Sequence, residues 1–60
     1  MSAIEKLQAE IRKQGERVDY YRRAGAKAES ETERIKYRQL EKLAIDTIYG
    51  LNYAIAVLVS

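Results

Sequence analysis

Residues 43–60 read LAIDTIYGLNYAIAVLVS, and this stretch decides the fold because it is almost entirely apolar. Asp46 is its only charged residue, whereas residues 1–42 hold all 11 basic residues and 8 of the 9 acids. A chain of 60 residues buries only about 60% of its unfolded surface, so its core is small. The apolar segment 43–60 is therefore predicted to form a helix whose surface is covered by other helices.

The composition restricts how such a small chain can be stabilised. It contains no Cys and no His, which excludes disulfides, thiolate or imidazole metal sites and His-dependent catalysis. Neither a metal nor another cofactor is expected. Self-association is the remaining common device for small domains, so the sequence predicts a homo-oligomer.

Two S-x-x-E segments mark two helix starts. In Ser2–Glu5 and Ser30–Glu33, the Ser and Glu side chains can satisfy free backbone amides at a helix N-terminus. Gly25 is typical of the left-handed residue that follows a helix. We therefore predict a single domain, residues 1–60, with helix 1 at about 3–24, a turn at about 25–29 and helix 2 at about 31–59.

Apolar residues alternate at spacings of three and four in both segments, which is typical of packed helices. The pattern predicts an all-α fold, a two-helix antiparallel hairpin, in which Val18 faces Tyr37. The first seam is Ile4, Leu7, Ile11, Gln14, Val18 and Tyr21, and the second is Tyr37, Leu40, Ala44, Thr47, Leu51, Ala54 and Leu58.

Helix 2 also carries a second stripe with the same spacing. A helix that is apolar on two faces is expected to be buried on two faces, one against helix 1 and one against another chain. The hairpin is therefore predicted to assemble into a homo-oligomeric helical bundle. The predicted interface residues are Ile45, Ile48, Asn52, Ile55 and Val59.

Basic and aromatic residues are concentrated on either side of the turn. Arginine offers forked donors to phosphate and tyrosine offers a flat face to a base, so the combination suits a nucleotide. The candidate ligand-binding residues are Tyr20, Arg22, Arg23, Lys27, Arg34 and Arg38. The alternative is that Tyr21 and Tyr37 belong to the core and the arginines solvate the helix ends.

Other functional classes have less support in the sequence. No Ser has a His base and the glycines are isolated, which argues against an enzyme. The charge-free run 47–60 spans about 21 Å as a helix, short of the roughly 30 Å of a bilayer core. The net charge of +2 is small for a nucleic-acid-binding protein. A cytoplasmic location is expected, because the N-terminus lacks an apolar leader segment.

The segment Ser30–Glu41, SETERIKYRQLE, resembles the helical-hairpin domain of small phage proteins that sequester cyclic nucleotide signals in CBASS and Thoeris defence. The matching positions are Ser30, Ile35, Tyr37, Leu40 and Glu41. The segment 52–56 is similar to the Asn-containing segment of small residues that ends the family's domain. The resemblance implies a non-enzymatic, homo-oligomeric sponge that binds nucleotide signals between protomers in the cytoplasm of an infected bacterium.

Two other functions remain open at this point. The apolar face could dock on another protein, which would make the chain a coiled-coil interaction module or a small inhibitor or adaptor. A small nucleic-acid-binding dimer is the third possibility, although no recognition helix stands out.

Overall fold

The computed structural model describes residues 2–60, which form two helices and no strand. Helix α1 spans Ala3–Lys27 and helix α2 spans Glu31–Val59. The two helices pack side by side as an antiparallel hairpin. The all-α class and the two-helix hairpin are therefore confirmed.

Serine caps begin both helices, as the sequence predicts. Ser2 and Glu5 form a complete capping box: the Ser2 hydroxyl accepts from the Glu5 amide at 3.1 Å, and the Glu5 carboxylate accepts from the Ser2 amide at 3.3 Å. At the start of α2, the Ser30 hydroxyl accepts from the Glu33 amide at 3.1 Å. Each hydroxyl satisfies an amide that has no partner within its helix.

Helix α1 continues three residues past its predicted end at residue 24. Gly25 was expected to adopt a left-handed conformation, but no residue in 2–60 has a positive φ and Gly25 is helical. The helix ends instead at Lys27, and it is capped by Ala28, whose backbone is extended and whose amide donates to the Gly25 carbonyl at 3.3 Å. Ala26 and Lys27 are good helix formers, so the turn shortens to residues 28–30.

The longer first helix shifts the pairing of the two helices by one heptad. Tyr37 was expected opposite Val18, but it lies opposite Gly25, where an added Cβ would be 3.5 Å from the Tyr37 Cβ. Further along, Arg22 contacts Glu41. In this register the open end of the hairpin brings the start of α1 level with the last turns of α2.

The covered face of α2 also differs from the predicted seam. Thr47 and Leu58 are exposed, whereas Ile48 and Ile55 are half-buried. A straight α-helix has 3.6 residues per turn, whereas a heptad seam repeats every 3.5 residues. The seam therefore shifts gradually around a straight helix. After the buried Ala44, the drift brings Ile48 onto the face toward α1 in place of Thr47.

The hairpin is long and thin, with extents of 45 × 17 × 10 Å. Its smallest dimension is about one helix diameter, so each helix is covered on one side only. Apart from Tyr20 and Ile35, the exposed large apolar side chains lie on α2 from residue 43 onward: Leu43, Tyr49, Tyr53, Val57, Leu58 and Val59. Helix α2 is also long and apolar enough to cross a membrane. One helix with this length and composition is weak evidence of a membrane span.

Candidate functional site

An open groove lies between the two helices beside the turn, and we call it the turn groove. Its volume is about 200 Å³. Arginines from both helices reach it, because the antiparallel register sets the last turns of α1 beside the first turns of α2. The lining residues are Tyr21, Arg22, Gly25, Arg34, Arg38 and Glu41.

The arginines of the turn groove differ in how far their charge is already paired. Arg22 Nε donates to Glu41 Oε2 at 3.1 Å across the helices, and Arg34 Nη1 lies 3.5 Å from Glu31 Oε2. Arg38 has no ion-pair partner within residues 2–60. The Arg34–Glu31 pair is well exposed and is worth about 0–1 kcal/mol, so it yields readily to a stronger anion. In the Arg22–Glu41 pair, Arg22 is 60% exposed but the Glu41 side chain is only 25% exposed, so this pair is the firmer of the two.

Three tyrosines form a row, and one of them, Tyr21, lines the groove. The ring centroids of Tyr20 and Tyr21 are 5.7 Å apart in an edge-to-face arrangement, and those of Tyr21 and Tyr37 are 6.4 Å apart. The Lys36 Nζ lies 5.5 Å from the centroid of the Tyr37 ring. Such contacts fix the rings, so Tyr21 offers a positioned aromatic surface at the groove wall.

The remaining predicted ligand residues line a different surface, which we call the outer patch. Tyr20, Arg23 and Lys27 are grouped there with Ala24, on the side of α1 that faces away from the turn groove. Tyr20 is 60% exposed, and Arg23 Nε donates to the Asp19 carbonyl at 3.3 Å. The structure thus divides the predicted set: Arg22, Arg34 and Arg38 come together, and Tyr20, Arg23 and Lys27 form a separate group.

Sequence reasoning missed two members of the turn groove, Tyr21 and Glu41. Tyr21 was left out of the predicted ligand-binding set, because it also falls on the heptad seam, yet it is only half-buried and lines the groove. Glu41 could have been identified only from the correct register, which sets it beside Arg22. Its carboxylate lowers the net positive charge of the groove.

The predicted oligomer interface residues do not form one free face. Ile45, Ile48 and Ile55 are half-buried within the single chain, whereas Asn52 and Val59 are exposed. Because Ile48 and Ile55 lie at the drifted seam, part of this stripe is already occupied by α1. The largest uncovered apolar surface of α2 lies on its opposite side, around Tyr49 and Tyr53, which are 70% and 73% exposed.

No protein-family model matches this chain, and no curated protein or solved structure matches it either.

Proposed function

We propose that this protein is a non-enzymatic, homo-oligomeric binding protein that holds the phosphate group of a small anionic ligand, such as a nucleotide, in the turn groove. The observation that carries the proposal is the convergence of Arg22, Arg34 and Arg38 from two helices on one groove. Guanidinium groups form forked, charge-assisted hydrogen bonds with phosphate oxygens.

The size of the turn groove favours the phosphate portion of a ligand over a whole nucleotide. Pockets that enclose a drug-sized ligand usually measure roughly 300–1,000 Å³, whereas this groove measures about 200 Å³. A phosphate bound among the arginines would leave the base outside the groove. Tyr21 supplies an aromatic ring at the wall on which the base could stack.

The resemblance of Ser30–Glu41 to phage sponge proteins extends this proposal to a nucleotide immune signal in the bacterial cytoplasm. The ligand is tested by titration calorimetry against cyclic dinucleotides, cyclic trinucleotides and ADP-ribose-type compounds, with pyrophosphate as the minimal phosphate probe. We expect at least one nucleotide to bind, and binding should weaken with added salt because the pairing is ionic.

Matched charge reversals identify which surface holds the phosphate. Arg38→Glu, in the turn groove, should abolish binding. Arg23→Glu, in the outer patch, should change the affinity by no more than about two-fold, since Arg23 does not line the groove and salt screens exposed charges. Circular dichroism controls for folding. Loss of binding in Arg23→Glu alone would move the site to Tyr20, Arg23 and Lys27. If no compound of the panel binds, the ligand-binding function is excluded.

The exposed apolar half of α2 supports a second candidate, a coiled-coil interaction module that docks on a partner protein as an inhibitor or adaptor. Tyr49, Tyr53 and Val57 are each more than half exposed, and uncovered apolar surface commonly marks interaction sites. The mass of the purified protein separates the candidates. A homo-oligomer has a multiple of the chain mass by itself, whereas an adaptor gains mass only when its partner is added.

A further inference from the structure

We infer that the outer side of α2 binds a second copy of this chain in antiparallel orientation, with Tyr53 of each copy packed over Gly50 of the other. This inference rests on the homo-oligomer of the proposed function and is independent of its ligand. The surface involved, which we call the outer seam, consists of Leu43, Asp46, Gly50, Tyr53 and Val57.

The outer seam has the spacing of a helix-packing surface and no partner in the hairpin. Its members alternate at spacings of three and four residues, which keeps them on one side of the helix. With 3.6 residues per turn, that side is opposite the buried Ala44. Leu43, Tyr53 and Val57 are 62%, 73% and 54% exposed. The seam is therefore a second packing surface on a helix whose first one is already used.

Gly50 makes no close contact within the single chain, and neither does Gly15 of α1, but Gly50 lies among exposed apolar side chains. It lies in the interior of α2, where glycine is a poor helix former, and an added Cβ would meet nothing within 4 Å. A glycine at such a position is explained if a large side chain from outside occupies the open space. Tyr53, one turn away on the same seam, is the large exposed side chain that a second copy brings.

The exposed apolar side chains supply most of the area that a small stable interface buries. Tyr49 flanks the seam and is 70% exposed. Together with Leu43, Tyr53 and Val57, it offers roughly 450 Å² in each copy, or about 900 Å² over two, using typical side-chain areas. Backbone at Gly50 and neighbouring side-chain stems add to this, against the roughly 1,200 Å² at the lower end of stable interfaces.

The charges favour the antiparallel orientation and a second copy over a bilayer. In a parallel pair, Asp46 would face its own copy and the two arginine-rich turn ends would lie side by side. The antiparallel pair separates the two Asp46 carboxylates and the two arginine-rich turn ends. With Tyr53 over Gly50 of the second copy, its hydroxyl extends toward Asp46 of that copy, which lies one turn from Gly50. In a bilayer, Asp46 would have no such donor.

Two glycine variants test the interface, because both glycines are helical and open in the single chain. Sedimentation velocity at micromolar concentration should show a dimer or larger assembly for the wild type. Gly50→Glu should raise the dissociation constant by at least about 100-fold, since it leaves an unpaired charge in the interface. Gly15→Glu, the matched control on α1, should leave the dissociation constant unchanged. Both variants should keep the circular dichroism spectrum of a helical protein.

Cysteine cross-linking tests the orientation and does not depend on Gly50→Glu remaining folded. The natural chain has no Cys. In the antiparallel register that pairs Tyr53 with Gly50, position 43 lies beside position 60 of the second copy. A mixture of Leu43→Cys and Ser60→Cys proteins should therefore oxidise to the mixed disulfide, whose formation requires Cα atoms within about 7 Å. Cross-links only between identical variants would overturn the antiparallel orientation.

The remaining outcomes distinguish this inference from the proposed function. If the wild type is oligomeric and Gly50→Glu is equally oligomeric, the outer seam is not the interface, although the homo-oligomer stands. If the wild type has the mass of one chain, both fail. If the protein has the mass of one chain and floats with phosphatidylcholine vesicles, the outer seam binds a bilayer. If it has the mass of one chain and does not float with them, the outer seam is left as a binding surface for a different protein.

Discussion

Gly25 of α1 lies directly against Tyr37 of α2, and a Cβ on the glycine would be 3.5 Å from the Cβ of the tyrosine. That separation is an ordinary van der Waals contact, so the two helices are close here without requiring glycine. The same register pairs Arg22 with Glu41.

Gly25→Ala should therefore stabilise the protein by about 0.5–1 kcal/mol, because alanine is the better helix former and no residue has to move. Urea denaturation followed by circular dichroism measures the change. A left-handed Gly25, as the sequence suggested, would give the opposite sign, since alanine is strained at positive φ.

Ser30→Ala should lower the free energy of unfolding by about 0.5–2 kcal/mol, because it removes the acceptor for the Glu33 amide at the start of α2. Thr32→Ala is the control, since Thr32 is exposed in the same turn and has no capping role. Ser30→Gly should lose only a few tenths of a kcal/mol. A larger effect at Thr32 than at Ser30 would contradict the observed helix start.

Glu41→Gln should increase the affinity of the turn groove for phosphate-bearing ligands by several-fold. The substitution removes the carboxylate that pairs with Arg22 and leaves that guanidinium for the ligand. The hairpin itself should lose no more than about 1 kcal/mol, because Arg22 is 60% exposed and the Gln carbonyl can still accept from its Nε. Calorimetry with the tightest compound of the nucleotide panel measures the affinity. Unchanged or weaker binding would show that Arg22 does not contact the ligand.

Ala44→Leu should destabilise the hairpin by about 1–3 kcal/mol, because Ala44 is 5% exposed and the two helices leave no space for a larger side chain. Ala26→Leu makes the same change at an exposed position of α1 and should have little effect. Equal melting temperatures for the two variants would mean that Ala44 is not at the helix–helix contact.

The sequence predicted the two helices well, because their signals are local. The caps at Ser2 and Ser30 depend on a few neighbouring residues, and both form. The heptad seam of α1 also identified its buried members, Gln14 and Val18. The end of α1 was misplaced because glycine occurs both after helices and within them, and here Ala26 and Lys27 continue the helix past Gly25.

The candidate site was less predictable, because it depends on the register between helices. Shifting one helix by a heptad preserves the apolar pattern but changes every cross-helix neighbour. The sequence could therefore name Arg22, Arg34 and Arg38 but could not exclude Arg23, nor could it place Glu41 among them. The drift of the α2 seam toward Ile48 has the same origin, since it accumulates along a straight helix.

A hairpin only 10 Å thick has almost no dry interior: in residues 2–60, burial below a tenth is reached at Gln14, Val18, Ala28 and Ala44. The heat capacity of unfolding depends on the apolar surface newly exposed to water, and it averages about 12–15 cal/mol/K per residue in globular proteins. A single hairpin should fall well below that value and melt over a broad range. Calorimetry would therefore distinguish a lone chain, with a shallow transition, from an assembly that hides the apolar half of α2 and melts sharply.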